Sequence, residues 1–283
     1  MRRVCFHHAG CPDGFGAAWA VRSAWGDDAE YRTRGHDDAL DAHELGGAEV
    51  CFVDIAPPNP ALHALLGTAD RVLVLDHHVS SRDRYASDPA LQQAASKKPH
   101  RVHFDLTHSG AVLAWRHFHP DTETPDLLAY VEDQDLWNWK LPQSREVNAA
   151  IASHAHEFDV WDRLAASPWE DLAAEGTPIV RAQRTEIERA LRSAHGVWLG
   201  EHRLEAVNAV FLRSWIGHEL ATRAAHGSPC GLVYRVTGDR VDVSIYSIGS
   251  FDVATLAARQ GGGGHSNAAG FSVPLERWLH EFL

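Results

Sequence analysis

Short apolar runs alternate with helical patterns through the first half of the chain. Arg3 to Phe6, Val50 to Val53 and Arg71 to Leu75 each end in polar, chemically capable residues. That alternation predicts strands separated by helices, the pattern of a parallel α/β sheet. Ligands of such sheets gather beyond the carboxyl ends of the strands, so His7 and His8, Asp54, and Asp76-His77-His78 are expected at one rim. The three clusters are separated by about 46 and 22 residues, and this fold class makes them neighbours.

Between about Phe158 and Ala194 strand character disappears. Trp161, Leu164, Leu172, Ile179, Ile187 and Leu191 recur among charged residues, with Pro168 and Pro178 as expected breaks. From Val197 a second pattern begins: Leu204 to Val210, Cys230 to Val236 and Val241 to Ile245 read as strands, with a hairpin turn at Thr237-Gly238-Asp239-Arg240. Ser214 to Ala225 and Phe251 to Arg259 read as helices. The expected organisation is an N-terminal α/β domain with a mostly parallel sheet over 1–157, a helical connector over 158–196, and a smaller C-terminal α/β domain over 197–283.

Gly261 to Gly264 interrupts the second pattern. Each glycine costs about 1 kcal/mol relative to alanine in a helix, so the run is expected to be a loop and neither a packed strand nor a helix interior. Such a loop lets backbone N–H groups approach an anion, and His265-Ser266-Asn267-Ala268-Ala269 would open the next element with its own donors.

Charge narrows the choice of partner. A formal net charge of −12 disfavours sequence-independent tracking along a long duplex, which depends on neutralising phosphates. If several Asp residues hold two divalent cations, the site itself becomes attractive to phosphate. No stretch approaches the roughly 20 apolar residues of a membrane span, and no long apolar signal region follows Met1; a cytoplasmic protein without membrane contact is expected. Cys5, Cys11, Cys51 and Cys230 lack the spacing of a disulfide scaffold and read as reduced thiols. Of the 20 His residues, those clustered beside Asp stand out from surface and capping histidines.

Asp76-His77-His78, leaving the run Val72-Leu73-Val74-Leu75, is the most specific short signal, because a carboxylate and two imidazoles at a strand end suit a divalent metal and an adjacent phosphate. Here the chain resembles the DHH family of phosphoesterases, which includes RecJ-type exonucleases, bacterial oligoribonucleases and family II inorganic pyrophosphatases. The resemblance spans nearly the whole chain in five ordered motifs. They are His8-Ala9-Gly10-Cys11-Pro12-Asp13-Gly14, Val53-Asp54, Asp76-His77-His78, Glu132-Asp133, and Gly261-Gly262-Gly263-Gly264-His265, the last being the signature of a C-terminal DHHA1 domain.

The resemblance implies a two-metal site, with His8 and Asp54 on one ion and Asp13, Asp54, His77 and Asp133 on the other. His7 competes with His8, and Asp135 with Asp133. Cys11 stands where many relatives carry the first acidic residue of that motif. It is either a metal ligand suited to softer ions than Mn²⁺ or Mg²⁺, or an inert small residue. The ions implied are two divalent cations, Mn²⁺ first, with Mg²⁺ or Co²⁺ as alternatives. The catalytic candidates are His78, to contact a phosphate oxygen or protonate the leaving oxygen, and Asp76, to orient a neighbouring ligand. Ser109, before the helical run Ala111 to Trp115, reads as a cap, and His108 as a residue able to approach the site.

Gly262, Gly263, Gly264 and His265 are the substrate-binding candidates, together with Tyr246. Relatives that degrade short oligonucleotides place an Arg where Ser244-Ile245-Tyr246-Ser247 has Tyr246, and a tyrosine offers one hydroxyl and a stacking face instead of a bidentate grip. Arg240 and Arg259 are possible substitutes. The expected function is metal-dependent hydrolysis of short oligonucleotides or dinucleotides to mononucleotides, without a covalent intermediate. A phosphomonoesterase or pyrophosphate/polyphosphate hydrolase, and a nucleotide-binding regulator with a degenerate site, are the alternatives. The partner is then a short nucleotide or other small phosphate ester; a homodimer stays open.

Overall fold

The computed structural model describes residues 1–35, 38–97 and 99–283. They divide into two compact units, Met1–Val180 and Arg181–Leu283. The first unit contains, in chain order, β1 (Arg3–His8), α1 (Pro12–Trp25), β2 (Glu30–Arg34), β3 (Glu49–Val53), α2 (Asn59–Thr68), β4 (Arg71–Asp76), α3 (Val79–Ala86), α4 (Pro89–Ala95), β5 (Arg101–Phe104), α5 (Gly110–Phe118), α6 (Asp126–Asp135), α7 (Ser144–Ser153) and α8 (Phe158–Ala166). Helix α9 (Trp169–Leu191) follows and runs through the division.

All pairings in the first sheet are parallel, in the order β2-β1-β3-β4-β5. Period-2 alternation divides the strand side chains between two cores. Cys5, Cys51, Val53, Leu73 and Leu75 join residues of α1, α5, α6, α7 and α8. Val4, Phe6, Val50, Phe52, Val72 and Val74 face the other way, onto Leu62 and Leu65 of α2 and Leu91 of α4. Burial on both faces explains why these strands read as continuous apolar runs; each fully buried aliphatic side chain contributes about 1.5–3 kcal/mol. The chain leaves β1 toward β2 on one side and returns to β3 on the other. The order therefore reverses between β1 and β3, which is where an open α/β sheet forms its ligand crevice.

Two sequence expectations change here. The edge strands β2 and β5 escaped notice because Glu30 and Arg32, and Arg101 and His103, break their apolar pattern, as suits the edges of a sheet; Arg34, at the end of β2, is buried. Pro168 does separate α8 from α9, but Pro178, expected to end a helix, lies inside α9. Two residues earlier, a Cβ on Gly176 would fall 1.8 Å from the carbonyl oxygen of Glu146, so α9 is pressed onto the start of α7 at this glycine. That packing holds the helix through a proline that removes one backbone bond.

The second unit continues with β6 (His195–Leu199), β7 (His202–Asn208), α10 (Arg213–Arg223), β8 (Cys230–Thr237), β9 (Arg240–Ser247), α11 (Val253–Ala258), β10 (Gly263–His265), β11 (Ala268–Pro274) and α12 (Leu275–Glu281). Its sheet has the order β10-β11-β9-β8-β7-β6, antiparallel except for β7 with β8. Val197, Leu204, Leu232, Val243, Ile245, Phe271 and Trp278 form its main core. Helix α10 lies close on the sheet through two glycines: a Cβ on Gly231 would meet Leu220 Cβ at 2.3 Å, and one on Gly217 would meet the Tyr246 ring at 2.0 Å.

The glycine run is not wholly a loop. Gly263 and Gly264 belong to β10, an edge strand paired with Gly270 and Ala269 of β11. The loop expectation weighed conformational cost and missed steric need. A Cβ on Gly262 would sit 2.0 Å from the Gly270 carbonyl oxygen, and Gly264 has φ +143° with Ala268 O 2.6 Å from its would-be Cβ. Only residues without side chains fit this approach. The chain is thus an α/β protein, with a parallel sheet at the N-terminus, intervening helices, and a smaller mixed-sheet unit at the C-terminus. Among the described residues no helix is long and apolar enough to cross a membrane.

Candidate metal centre

Because β1, β3 and β4 are parallel and in register, they end at one edge, carrying His8 and Asp76 as last residues and Asp54 one residue beyond Val53. Asp54 still donates its N–H to Leu75 O (2.9 Å), then turns into the left-handed region at φ 57°. For a residue with a side chain this costs roughly 1–2 kcal/mol, and sites of function are where such strain is retained. Gly110, the first residue of α5, presses against it: a Cβ there would lie 2.3 Å from Asp54 Cβ.

Two groups of side chains suited to a metal ion converge at this edge. One is His8, Asp54 and His78; the other is Asp13, His77 and Asp135; within each group the donor atoms lie within 4.8 Å of one another. Asp54 touches both. Its Oδ2 is 3.4 Å from His8 Nδ1 and its Oδ1 is 3.0 Å from His77 Nε2. That Oδ1 is buried and makes no hydrogen bond of good geometry. His77 Nε2 also lies 3.6 Å from Asp13 Oδ2 and 3.5 Å from Asp135 Oδ2.

The electrostatics are those of a site short of positive charge. Burial, then the neighbouring carboxylates Asp54 and Asp135, push Asp13 well above the usual carboxylate range. Burial also lifts Asp135 to about 6, although 29 % of its side chain reaches solvent, which tempers the rise. Burial opposes ionisation of Asp54 too, but His77 and His8 outweigh it and hold the group well below its ordinary value. His77 is driven up to about 10: burial lowers it, and Asp54 with Asp135 and Asp13 more than reverses that. Imidazoles alone thus leave two of three carboxylates harder to ionise than usual. Divalent cations would supply the missing charge, and the O/N donor set with an unbonded buried oxygen fits them.

The residues behind these groups are fixed by backbone. Asp13 accepts from Gly110 N (2.7 Å) and Ala111 N (3.0 Å), the first turn of α5, where a carboxylate is favoured by the helix dipole. Asp76 Oδ1 accepts from His77 N (2.8 Å) and His78 N (3.2 Å) and lies 2.7 Å from His78 Nδ1, so it orients His78. His78, singled out from the sequence as a phosphate contact, stands in the first group with His8 and Asp54. Cys11 is the N-cap of α1, its sulfur accepting from Gly14 N (3.3 Å) and donating to Asp54 Oδ2 (3.5 Å). Burial and the adjacent Asp54 and Asp13 push this thiol well up, so it borders the first group as a neutral donor. His7 is buried against the Phe15 ring, with Nδ1 near His8 O, and is held down at about 4 chiefly by that burial.

Asp133 is not brought to either group. Its carboxylate accepts from Lys140 N (2.9 Å) and Leu141 N (3.2 Å) and closes the turn after α6, while Asp135 reaches His77. Two residues apart on a helix, their side chains point about 200° apart, so one helix cannot offer both to one site. Glu132 accepts from Ser109 N (2.9 Å) and lies 3.2 Å from His108 Nδ1, and Ser109 caps α5 through Val112 N. In the second unit the Tyr246 ring packs on Gly217, and its hydroxyl accepts from Ser214 Oγ (3.3 Å). Beside it Arg213, which the sequence pattern does not single out, donates to Ser244 Oγ while its Nε is buried with no hydrogen-bond partner among the described residues. Arg240 is engaged with Ser272. Gly110 was also missed; its only sequence signal was its place after the Ser109 cap.

No family model matches the chain. It is 25% identical over 291 residues to an uncharacterized protein of Acanthamoeba polyphaga mimivirus, spanning 95% of this chain and 67% of that one. Among solved structures it is similar to the pGpG-specific phosphodiesterase PggH of Vibrio cholerae, with a TM-score of 0.51 and 12% identity over 98% of this chain and 95% of the other. An exopolyphosphatase-related protein from Bacteroides fragilis matches with a TM-score of 0.49 and 12% identity, over 95% and 86% of the two chains. The likeness to the Vibrio enzyme establishes that this chain shares its fold.

Proposed function

We propose that the chain is a divalent-metal-dependent phosphodiesterase of the DHH type, hydrolysing dinucleotides or short oligonucleotides to mononucleotides. The observation that carries this reading is Asp54, whose two carboxylate oxygens face different metal-suited groups from a strained backbone at the crevice between β1 and β3. The shared fold with a pGpG-specific phosphodiesterase favours a small phosphodiester substrate. His8, Asp54 and His78 would hold one cation; Asp13, His77 and Asp135, with Asp54 between, would hold the other. Mn²⁺ is the ion we expect, since the donors are carboxylate and imidazole.

When bound, such a pair supplies Lewis acidity and an activated water for in-line attack at phosphorus. This chain's residues prepare the site for it. The first-turn amides of α5 hold the Asp13 carboxylate against rotation, and Asp76 accepts a hydrogen bond from His78 Nδ1, so that Nε2 is the ring atom that would meet a cation. Gly110 gives α5 its close seat on Asp54, so the central carboxylate has one position. Cys11 adds a neutral thiol beside Asp54. The glycine hairpin of β10 and β11, with His265, is proposed as a phosphate-binding element of the second unit, its backbone amides bare of side chains.

The test is a substrate panel. Purified protein loaded with Mn²⁺ is incubated with a 5′-phosphorylated dinucleotide, a mononucleotide, a cyclic dinucleotide and pyrophosphate, and products are resolved by chromatography. Release of mononucleotides from the linear dinucleotide, lost on chelation and restored by Mn²⁺, is expected. Turnover of pyrophosphate alone would move the assignment to a pyrophosphate hydrolase, and intact metal binding without any turnover would make the protein a binding regulator.

A further inference from the structure

Cys11 stands at one corner of a triangle of donor atoms. Its Sγ lies 3.5 Å from Asp54 Oδ2 and 3.7 Å from His8 Nδ1, and those two atoms are 3.4 Å apart. A tetrahedral ion with bonds of about 2.3 Å to sulfur and about 2.0–2.2 Å to nitrogen and oxygen holds its ligands about 3.6 Å apart from sulfur to nitrogen or oxygen, and about 3.4 Å from nitrogen to oxygen. An octahedral ion with bonds of about 2.1 Å draws adjacent donors to about 3.0 Å. The triangle has the spacing of the first kind. His78, whose donor atom falls within 4.8 Å of those of His8 and Asp54, adds a fourth donor to the group.

The backbone sets the sulfur there. Pro12 opens α1 and Cys11 caps it, with Gly14 N donating to Sγ at 3.3 Å. A Cβ on Gly14 would lie 2.3 Å from His8 O, so the start of α1 is seated directly on the end of β1 and carries Cys11 to His8. Serine, threonine, aspartate and asparagine are the favoured caps, and a thiol is a weak acceptor, so capping alone does not call for cysteine here. A soft donor does what those residues cannot. As a thiolate it selects zinc-like ions, whereas carboxylate and water suit Mn²⁺ and Mg²⁺. The second group, Asp13, His77 and Asp135, offers only oxygen and nitrogen. The two halves of the centre therefore differ in hardness.

We propose that Cys11 is a thiolate ligand which, with His8, Asp54 and His78, makes the first group a zinc-type site, so that the centre is mixed: Zn²⁺ in the first group and Mn²⁺ in the second. This deepens the metal-dependent reading and rests on it for a cation in the first group, but on no substrate. Wild type, Cys11→Ser and Cys11→Asp test it by spectroscopy and by metal competition. Serine and aspartate both keep a cap for α1, so a purely structural role for Cys11 leaves all three proteins alike. Metal-free protein is titrated with Co²⁺ as a spectroscopic stand-in for zinc. The wild type should develop an intense near-ultraviolet sulfur-to-cobalt charge-transfer band, and both variants should lack it while keeping the weak visible bands of bound Co²⁺. In the second measurement zinc is added at stoichiometric amount against a large excess of Mn²⁺, and the metal retained after gel filtration is read by mass spectrometry. Zn-to-Mn selectivity should fall about tenfold or more in both variants, since even the outer partners of a metal site are worth about 10–100-fold. No charge-transfer band in the wild type, or one selectivity for all three proteins, overturns the ligand role; Mn²⁺-dependent release of mononucleotides could then still rest on the remaining donors. The band in a wild type that turns over no substrate would sink the phosphodiesterase reading and leave the zinc-type site standing.

Discussion

The two units solve close packing at the edge of a sheet by different means. In the first, parallel strands deliver charged side chains to one crevice, and backbone amides lock them: α5 holds Asp13, the Asp76 carboxylate bonds the next two amides, and Asp54 accepts left-handed strain. In the second, the edge β10–β11 is stripped of side chains, and two backbones approach where any Cβ would collide. The first unit relies on residue identity at its edge, the second on the absence of side chains. Substitutions should therefore fail differently in each: loss of charge should be felt in metal binding and catalysis, and gain of a methyl group in packing.

The sharpest break of that contrast is at Asp54. It belongs to the first group and approaches His77 of the second at 3.0 Å, so Asp54→Ala should lower kcat by about a thousandfold or more, given the several kcal/mol that metal-borne stabilisation is worth. Titration calorimetry should show Mn²⁺ affinity lost along with activity. Thermal stability of the metal-free protein should fall modestly, because His77 and His8 hold the Asp54 carboxylate well below its ordinary value and that favourable pairing is lost, offset in part by less crowding of Asp13 and Asp135. Activity near wild type would mean that Asp54 is not the centre of the site, and the metal assignment would fail with it.

A second comparison sits on one helix. Asp135→Asn removes a carboxylate beside His77 and should cut Mn²⁺ affinity and kcat/KM by about a hundredfold, in the range of weakened metal sites, with little change in melting temperature. Asp133→Asn weakens bonds to Lys140 N and Leu141 N and should cost about 1.5–3 kcal/mol of stability, read from chemical denaturation, with metal affinity much less affected. The reverse pattern would return the ligand role to Asp133.

These pairs also mark how far the sequence is legible. Strand ends are readable because an apolar run must terminate where burial does, and residues such as Asp54 and Asp76-His77-His78 then stand out against it. The choice between Asp133 and Asp135 is not readable from spacing, since either face of α6 could have met the crevice, and helix orientation is decided by the packing of Leu127, Leu128 and Val131. His78 as a member of a metal-suited group depends on the turn of its ring toward Asp76, which no linear motif records. In the second unit glycine spoke only of conformational cost. Its pairing as β10 follows from a neighbour, Gly270, some eight residues away in sequence and in contact only after folding.

The finest test sets one glycine of each unit against the other. Gly110→Ala would place a methyl carbon 2.3 Å from Asp54 Cβ, and Gly217→Ala one 2.0 Å from the Tyr246 ring. Neither obstacle is the free end of a flexible chain, so each should cost about 1–3 kcal/mol as overpacking, seen as a few degrees in melting temperature. The contrast lies in what else moves. At Gly110 the clash pushes on the central carboxylate and on the N-terminus of α5 that holds Asp13, so Mn²⁺ affinity should fall together with stability. At Gly217 the clash separates α10 from β9 inside the second unit, and Mn²⁺ affinity should stay near wild type when measured well below the melting transition. Equal losses of metal affinity in both variants would show that the two units do not divide side-chain chemistry from backbone packing in this way.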